Sequence, residues 1–352
     1  MATGILKRYN TLTSQWEPVL VGATGADGAD GADGSGVPAG GTTGQLLAKA
    51  SETDGDVEWV DPLSGGASDP LDLTTTGATA PGASTLRLFR RELASREFLA
   101  TMDDHGTERI LQTSFFHTKI AQWTPTLNAT TAPGVFGLPA ITTGSSDAAK
   151  TIATTNRFTR VPAVRFSSAA TTNASCNPRF AVLWPSIGSG SNDGTGFTMM
   201  VRFGIADAAS VSTARMFVGM RNLSTSISNA DPSTFTNCIG VGHDSAHTNL
   251  YIMYGGSSAQ TPIDLGANFP ITGGTDFYDL ILHAPWDEDD KVYYTVTRLF
   301  TGHVASGSVS GGSTVLPPSS DMLTPLSAFR GNGTAGGVVA MDIAKFMLET
   351  ND

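Results

Sequence analysis

A glycine period near the start of the chain constrains this sequence more than any other feature. Glycine recurs at every third position, at Gly22, Gly25, Gly28, Gly31 and Gly34. Three polyproline-II-like chains can wind around one axis only where the residue that faces the axis has no side chain. About fifteen residues wound in this way would span roughly 45 Å. The period in residues 21–36 therefore predicts a short collagen-like stalk and a homotrimer.

The alternative interpretation of the repeat is a flexible linker. Glycine is abundant throughout the chain, at 40 of 352 residues, and the triplets, which mostly read Gly-Ala-Asp, contain no proline. Collagen is normally rich in proline, whose ring presets the backbone φ angle. A wound stalk of this length would therefore depend on trimer contacts on both sides of it.

Composition and charge narrow the class of protein. With 40% hydrophobic and 15% charged residues, the chain can form folded but polar domains. The net charge of −11 disfavours nucleic-acid binding, which requires clustered Lys and Arg. Cys176 and Cys238 are the only cysteines, and we expect both to be reduced core residues. We see neither a signal-peptide pattern nor an apolar run of membrane length, and we expect no membrane insertion.

Residues 1–20 carry apolar positions on both sides of a polar turn. Tyr9 precedes the turn, and Trp16 follows it. The pattern predicts a small β-hairpin that is marginally stable alone, and its two aromatic side chains should bury against a partner or against symmetry mates. The alternative is a frayed terminus with two incidental aromatic residues.

The next segment carries a resemblance to a known family. Residues 37–62 contain a Gly-Thr-Thr-Gly-Gln turn at 41–45, a strand-like run and a Glu-Trp-Val strand at 58–60. This order resembles the connector module that follows collagen-like repeats in many bacteriophage and prophage tail-fibre proteins. The runs at 6–9 (Leu-Lys-Arg-Tyr) and 16–19 (Trp-Glu-Pro-Val) are similar to the start of such fibres. The resemblance implies a virion-attachment role for the hairpin, with Tyr9 and Trp16 as its anchor.

Residues 63–125 predict an extended linker followed by a β-rich neck. Residues 63–82 are rich in Ser, Thr, Gly, Ala and Pro, which is typical of an extended connection. The apolar spacing in residues 85–107 fits either a helix or a hairpin. Phage structural proteins carry a similar segment, with a strand, a charged turn and a second strand ending near residues 119–123. This resemblance favours strands.

Beyond residue 126, short runs of alternating apolar residues are bounded by Gly, Ser, Asn and Asp. Residues 197–205 place five apolar side chains at strict period two, with Thr198 and Arg202 between them. This is the pattern of a strand with one buried face. Other such runs occur at residues 161–166, 217–220, 239–241, 250–254, 279–283, 292–300 and 339–347. Many short strands without a long helix predict a mainly β fold with an antiparallel β-sandwich.

The order of these strands resembles the concanavalin-like jelly rolls of lectins and of phage surface proteins. The resemblance is carried by residues 239–242 with 248–250 and by residues 263–266 with 269–270, and it covers residues 126–352 in outline. It implies a lectin-like head domain over that range. It brings no catalytic motif with it.

Two motifs approach enzyme signatures, but residues 331–336 favour a loop and residues 307–311 lack the central serine. Residues 331–336 read Gly-Asn-Gly-Thr-Ala-Gly, and the dinucleotide fingerprint that they match needs a helix where a strand is predicted here. Residues 307–311 read Gly-Ser-Val-Ser-Gly and have valine where a nucleophile elbow needs serine. We therefore expect no cofactor and no enzyme activity. Hydrolysis of a polysaccharide, which needs two carboxylates about 5 to 10 Å apart, is an alternative.

Two further clusters are candidate binding sites. His243 and His247 are four residues apart, but the glycines before them favour a loop, and we expect no metal. Four consecutive carboxylates at 287–290 follow Trp286 and favour a solvated hairpin tip, with calcium or a sugar stacked on Trp286 as alternatives. Trp286, Asp287 and His243 are the candidate receptor contacts.

Together these features predict a homotrimeric bacteriophage fibre protein that is assembled in the bacterial host cytoplasm and incorporated into the virion. Residues 1–20 would bind other virion proteins, and residues 21–125 would form the stalk, connector and neck. The head, residues 126–352, would contact a host-surface glycan or protein. The alternatives are a head fibre or decoration protein with a mainly structural role, and a polysaccharide depolymerase.

Overall fold

The chain divides into two compact units, Met1–Leu73 and Thr74–Asp352. The structure is a computed structural model that describes residues 7–18, 40–43, 45–51, 53, 56–60, 82, 86–103, 108–111, 119–125, 147–189, 195–286, 288 and 290–350. The glycine repeat, from Gly22 to Gly34, lies outside the described residues. The stalk therefore stays a prediction.

The described residues of the first unit form two antiparallel hairpins. They are formed by β1 (Lys7–Asn10) with β2 (Gln15–Pro18), and by β3 (Leu46–Lys49) with β4 (Val57–Val60). The first turn is closed by Asn10, whose Oδ1 accepts a hydrogen bond from the Leu12 amide at 3.0 Å. Tyr9 lies opposite Trp16, and the centroids of their rings are 5.3 Å apart in an edge-on arrangement. The predicted N-terminal hairpin is confirmed.

The second unit begins with a three-stranded antiparallel sheet, which we call the neck sheet. It is formed by β5 (Arg87–Leu93), β6 (Arg96–Met102) and β7 (Glu108–Leu111). Ala94 and Ser95 make the β5–β6 turn with φ angles of 50° and 57°, the left-handed conformation that suits a two-residue hairpin turn. The segment is therefore a hairpin and not a helix. The charged residues 90–92 lie within β5 and do not form the charged turn that the resemblance implies, because Ala94 and Ser95 make the turn.

The rest of the second unit is the predicted antiparallel β-sandwich. Its larger, eight-stranded sheet contains β8 (Lys119–Trp123), β9 (Asp147–Ala149), β10 (Val164–Ser167), β12 (Phe197–Ile205), β17 (Phe277–Ala284), β18 (Lys291–Arg298), β19 (His303–Ser310) and β21 (Ala340–Thr350). Its smaller, six-stranded sheet contains β11 (Ser175–Cys176), β13 (Arg215–Arg221), β14 (Cys238–His243), β15 (Tyr251–Gly255), β16 (Ile263–Asp264) and β20 (Thr324–Gly331). A one-turn helix, α1 (Arg157–Arg160), precedes β10, and a 3-10 turn (Pro232–Thr234) precedes β14.

The last strand lies in the middle of the larger sheet. β21 pairs with β12 along one edge, and with β10 and β8 along the other. The remaining strands extend the order to β19-β18-β17-β12-β21-β10-β9. The smaller sheet has the order β11-β20-β13-β14-β15-β16. Because β8 pairs with β21, the sandwich includes residues 119–123, which we had placed in the neck.

The core lies between the two sheets. The alternating residues of β12 point into it, and Met199, Val201 and Phe203 are fully buried. Both cysteines are free and buried, as predicted, and burial raises the pKa of each thiol to about 12. Among the described residues, no helix is long and apolar enough to span a membrane.

The position of β8 makes Trp123 a test of the fold. Its side chain is 1% exposed, and it packs in the main core cluster. We expect Trp123→Ala to lower the free energy of unfolding of the full chain by about 3–5 kcal/mol, because a large cavity would remain in the core. Urea denaturation measures this change.

Trp16→Ala is the matched control, because this indole is 63% exposed. It should change the free energy of unfolding by less than about 0.5 kcal/mol. An equally small effect of Trp123→Ala would contradict the pairing of β8 with β21.

Candidate functional site

Trp286 stands at a cleft at one end of the larger sheet. The cleft has a volume of about 350 Å³ and is lined by the start of β12, the ends of β17 and β21, and Arg96 of the neck sheet. The side chain of Trp286 is 47% exposed, so the indole is accessible to a ligand. Trp286 is one of the receptor contacts predicted from the sequence.

Two glycines fix the backbone of Trp286. A Cβ atom at Gly188 would overlap the carbonyl oxygen of Pro285, and one at Gly196 would lie 2.7 Å from the Trp286 Cα. Gly196 also has a φ of +60°, which L-residues rarely adopt. The Ser189 amide donates a hydrogen bond to the Trp286 carbonyl at 3.1 Å. Close backbone packing therefore fixes the main chain of Trp286. None of these contacts involves the indole ring.

An ion pair from two distant parts of the chain lies in the cleft. The Arg96 Nη1 is 2.7 Å from the Glu349 Oε2, and Arg96 also donates a hydrogen bond to the Thr198 hydroxyl. The Glu349 side chain is 3% exposed, whereas that of Arg96 is 25% exposed. A buried carboxylate requires such partners because an unpaired charge loses its hydration without compensation. The neck sheet thus completes the cleft of the sandwich.

His283 supplies a hydrogen-bond acceptor to the same wall. Its Nδ1 lies 3.2 Å from the Phe197 carbonyl oxygen and 3.0 Å from the Thr198 Oγ1. A carbonyl oxygen can only accept, so its contact assigns the proton to Nδ1 and leaves Nε2 as an acceptor. Burial, and then the positive charge of Arg96, lowers the pKa of His283 to about 4. The imidazole is therefore neutral at pH 7.

The predicted charged tip lies between β17 and β18, next to Trp286. Glu288 accepts a hydrogen bond from the Tyr293 hydroxyl at 3.1 Å and forms an ion pair with Lys291, also at 3.1 Å. The Lys291 ammonium lies 4.5 Å from the centroid of the Tyr293 ring. Asp287 lies outside the described residues, so its receptor contact stays a prediction.

The structure contradicts a receptor contact at His243. This residue ends β14, and its side chain is fully buried. Its Nε2 is 2.9 Å from the Arg330 Nη1, and Arg330 forms an ion pair with Asp207. Burial, and then the charge of Arg330, lowers the pKa of His243 to about 3. An enclosed neutral imidazole cannot touch a receptor at the surface.

Residues 332–336 and His247 lie in loops, as the sequence predicts, whereas His243, predicted to lie in the same loop as His247, is the last residue of strand β14. Residues 331–336 start at the end of β20 and lead to β21, a strand. Residues 307–311 lie on β19 and just after it, so they form no nucleophile turn. His247 follows β14 in a loop and stacks on Tyr251 with ring centroids 3.9 Å apart. In the part of the chain that the structure describes, no group of three or more His, Cys, Asp or Glu residues is placed to hold a metal.

Sequence reasoning found Trp286 but missed the polar residues around it. Thr198 and His283 occupy the outward positions of alternating strands, and polar residues at such positions are ordinary. Arg96 and Glu349 carry no local signal, since their meeting depends on how the neck sheet lies on the sandwich. From the sequence alone, only Trp286 was recognisable as a candidate binding residue of this cleft.

Similarity of this chain to known proteins is found among solved structures. No protein-family model matches it, and no curated protein matches it. Among solved structures, peanut lectin in complex with a 9-residue peptide is similar, with 12% identity, a TM-score of 0.45, and coverage of 66% of this chain and 97% of the lectin. Lectin I from Ulex europaeus with the methyl glycoside of α-L-fucose has 8% identity, a TM-score of 0.45 and coverage of 67% and 98%. A protein of unknown function from Shewanella oneidensis MR-1 has 13% identity, a TM-score of 0.42 and coverage of 68% and 90%.

The burial of His283 predicts a loss of stability in acid. Its pKa of about 4 in the folded chain lies below the ordinary value of 6.5, so only the unfolded chain binds a proton as the pH falls from about 6.5 to 4. The full chain should therefore lose stability in this range. His283→Gln should reduce the loss between pH 7 and pH 5 by about 1 to 2 kcal/mol. Urea denaturation at both pH values measures it.

His303→Gln is the control, because His303 lies at an exposed position of β19. This variant should keep the pH dependence of the wild-type chain. If His283→Gln keeps it as well, His283 is not held neutral in the folded chain.

Proposed function

We propose that the sandwich binds carbohydrate at the Trp286 cleft and that the protein is a trimeric bacteriophage fibre. The observation that carries the proposal is an accessible indole beside polar groups that converge on one cleft. Carbohydrate sites pair an apolar, often aromatic surface with a few placed donors and acceptors. The sandwich would then be the part of a fibre that adheres to a host-surface glycan.

The cleft offers each contact that a sugar ring needs. The indole of Trp286 presents a flat apolar face, which packs against the C–H face of a pyranose. Around it lie the guanidinium of Arg96 as donor, held by the Glu349 carboxylate, and the Nε2 of His283 as acceptor. The Arg96–Glu349 pair balances its own charge, so the site fits a neutral sugar with several hydroxyl groups.

The fibre assignment rests on the first part of the sequence. The glycine period of residues 22–34 requires three chains around one axis if it is wound, and residues 37–62 resemble the connector module of tail fibres. Tyr9 and Trp16 are 47% and 63% exposed, which leaves two aromatic rings available to another virion protein. Three heads on one stalk would strengthen weak adhesion, because later contacts become intramolecular.

We propose adhesion and not hydrolysis. Glycoside hydrolysis requires two carboxyl groups about 5 to 10 Å apart across the scissile bond. In the cleft, the carboxylate of Glu349 is engaged by Arg96 and is 3% exposed. Its geometry suits a group that orients Arg96 and does not reach a scissile bond itself.

Binding of the full-length protein to an array of bacterial surface polysaccharides and simple oligosaccharides tests the site. We expect Trp286→Ala to weaken binding of any retained glycan at least tenfold, about 1.4 kcal/mol, because the apolar platform is lost. Titration calorimetry with the best glycan measures the dissociation constant. Trp16→Ala removes an exposed indole from the other unit and should leave the constant unchanged.

The alternatives give different results in the same experiments. Equal loss of binding in both variants, or none in Trp286→Ala, would contradict a site at the cleft. No glycan binding together with firm attachment to virions would favour a decoration protein. Release of reducing ends from a bound polysaccharide would identify a depolymerase.

A further inference from the structure

The neck sheet has two faces of different exposure. On one face, Phe89, Ala100 and Met102 form a small cluster and are at most 4% exposed. On the other face, Leu88, Leu99 and Leu111 are 45%, 43% and 46% exposed. The strands alternate, so both faces belong to the same three strands. We call the second set the leucine face.

The strand register brings the three leucines together. Leu99 of β6 lies directly opposite Leu111 of β7. On its other side, Leu99 lies opposite Arg90, and Leu88 stands two residues before Arg90 on the same face of β5. The three leucines therefore form one diagonal apolar row across the three strands, with Arg90 and Thr101 beside it on the same face. Exposed apolar side chains grouped in this way favour a contact surface.

The leucine face also carries charged residues. Arg90 forms an ion pair with Glu97, and the two side chains are 38% and 55% exposed. Glu92 lies directly opposite Glu97, so two carboxylates stand side by side at the turn end of the face. The face thus presents a cation in the middle and an acidic end. A rotated second copy can bring its Arg90 toward the Glu92 of its neighbour.

The area of the leucine face limits how tightly it can bind a partner. Two strands of seven residues and one of four cover roughly 300 Å² of sheet at the usual strand rise and spacing. Stable association of free partners buries roughly 800 Å² on each side. The leucine face is therefore too small to hold two untethered molecules together. It suffices for chains that are already held close to one another.

We propose that the leucine face is a contact between copies of this chain, formed because the stalk tethers them. This inference rests on the proposed trimer. The glycine repeat ends about fifty residues before β5, so three chains joined there keep their neck sheets at high local concentration. Each copy then covers the leucines of its neighbour around the axis, and the heads are held at a fixed mutual spacing.

Sedimentation velocity of the full-length chain over a range of concentrations tests the proposal. The triple variant Leu88→Ser, Leu99→Ser and Leu111→Ser should dissociate at a concentration at least tenfold higher than the wild-type trimer does. The control triple variant Leu183→Ser, Leu223→Ser and Met322→Ser removes side chains of the sandwich that are 42%, 47% and 55% exposed. This control variant should dissociate at the same concentration as the wild-type trimer.

A cross-link gives a second measurement that does not depend on stability. Leu99→Cys should form disulfide-linked chains on oxidation, because a disulfide needs Cα atoms within about 7 Å and the faces meet at this position. Leu183→Cys should remain a single chain on a non-reducing gel. Cys176 and Cys238 are buried and do not interfere.

The outcomes separate this inference from the trimer itself. A wild-type monomer at all concentrations would contradict both the trimer and the leucine face. A wild-type trimer with an equally tight leucine variant and no cross-link at residue 99 would overturn the leucine face alone. If the leucine variant does not fold, as judged by circular dichroism, the cross-link decides.

Discussion

The pairing of β21 with its neighbours is the interaction on which the second unit depends. This strand is the last in the described chain, yet it lies inside the larger sheet, with β12 on one edge and β10 and β8 on the other. Its inward residues Met341, Ile343, Phe346 and Leu348 are fully buried. The two parts of the larger sheet are therefore joined through β21. Burial of these side chains contributes much of the favourable free energy of that pairing.

Two outward residues of β21 form ion pairs, one near each end of the strand. At one end, Glu349 receives Arg96 of the neck sheet. At the other end, Asp342 is fully buried and pairs with Lys150 at 3.1 Å and with Arg165 at 2.7 Å. Burial, which outweighs the attraction of Asp342, lowers the pKa of Lys150. Such pairs add little net stability, but breaking one leaves a buried charge, so they fix the register of the strands that carry them.

The cleft and the neck sheet are linked through Arg96. The turn before it packs on the sandwich, where the buried Ala94 amide donates a hydrogen bond to the Thr295 hydroxyl at 3.0 Å. The neck sheet thereby contributes Arg96 to the lining of the cleft, and it carries the leucine face on its exposed side. In a fibre, one small sheet would then set both the composition of the binding cleft and the spacing of the heads.

The sequence by itself determined the class of fold and several local structures. Alternation at period two in residues 197–205 predicted β12, because one face of a strand must be apolar to be buried. The hairpin around Tyr9 and Trp16, the buried free cysteines and the accessible Trp286 were also predicted. In each case the signal lies within a few neighbouring residues, so it can be read without knowing the partner strand.

Tertiary structure alone decided which distant residues meet. β8 joins the sandwich only through its pairing with β21, and Glu349 receives Arg96 only because the neck sheet lies on the larger sheet. His243 was predicted to be a surface contact and is buried, where its Nε2 meets Arg330 of β20, which in turn pairs with Asp207. Long-range pairing is fixed by the total burial and register of the sheets, and no local spacing encodes it.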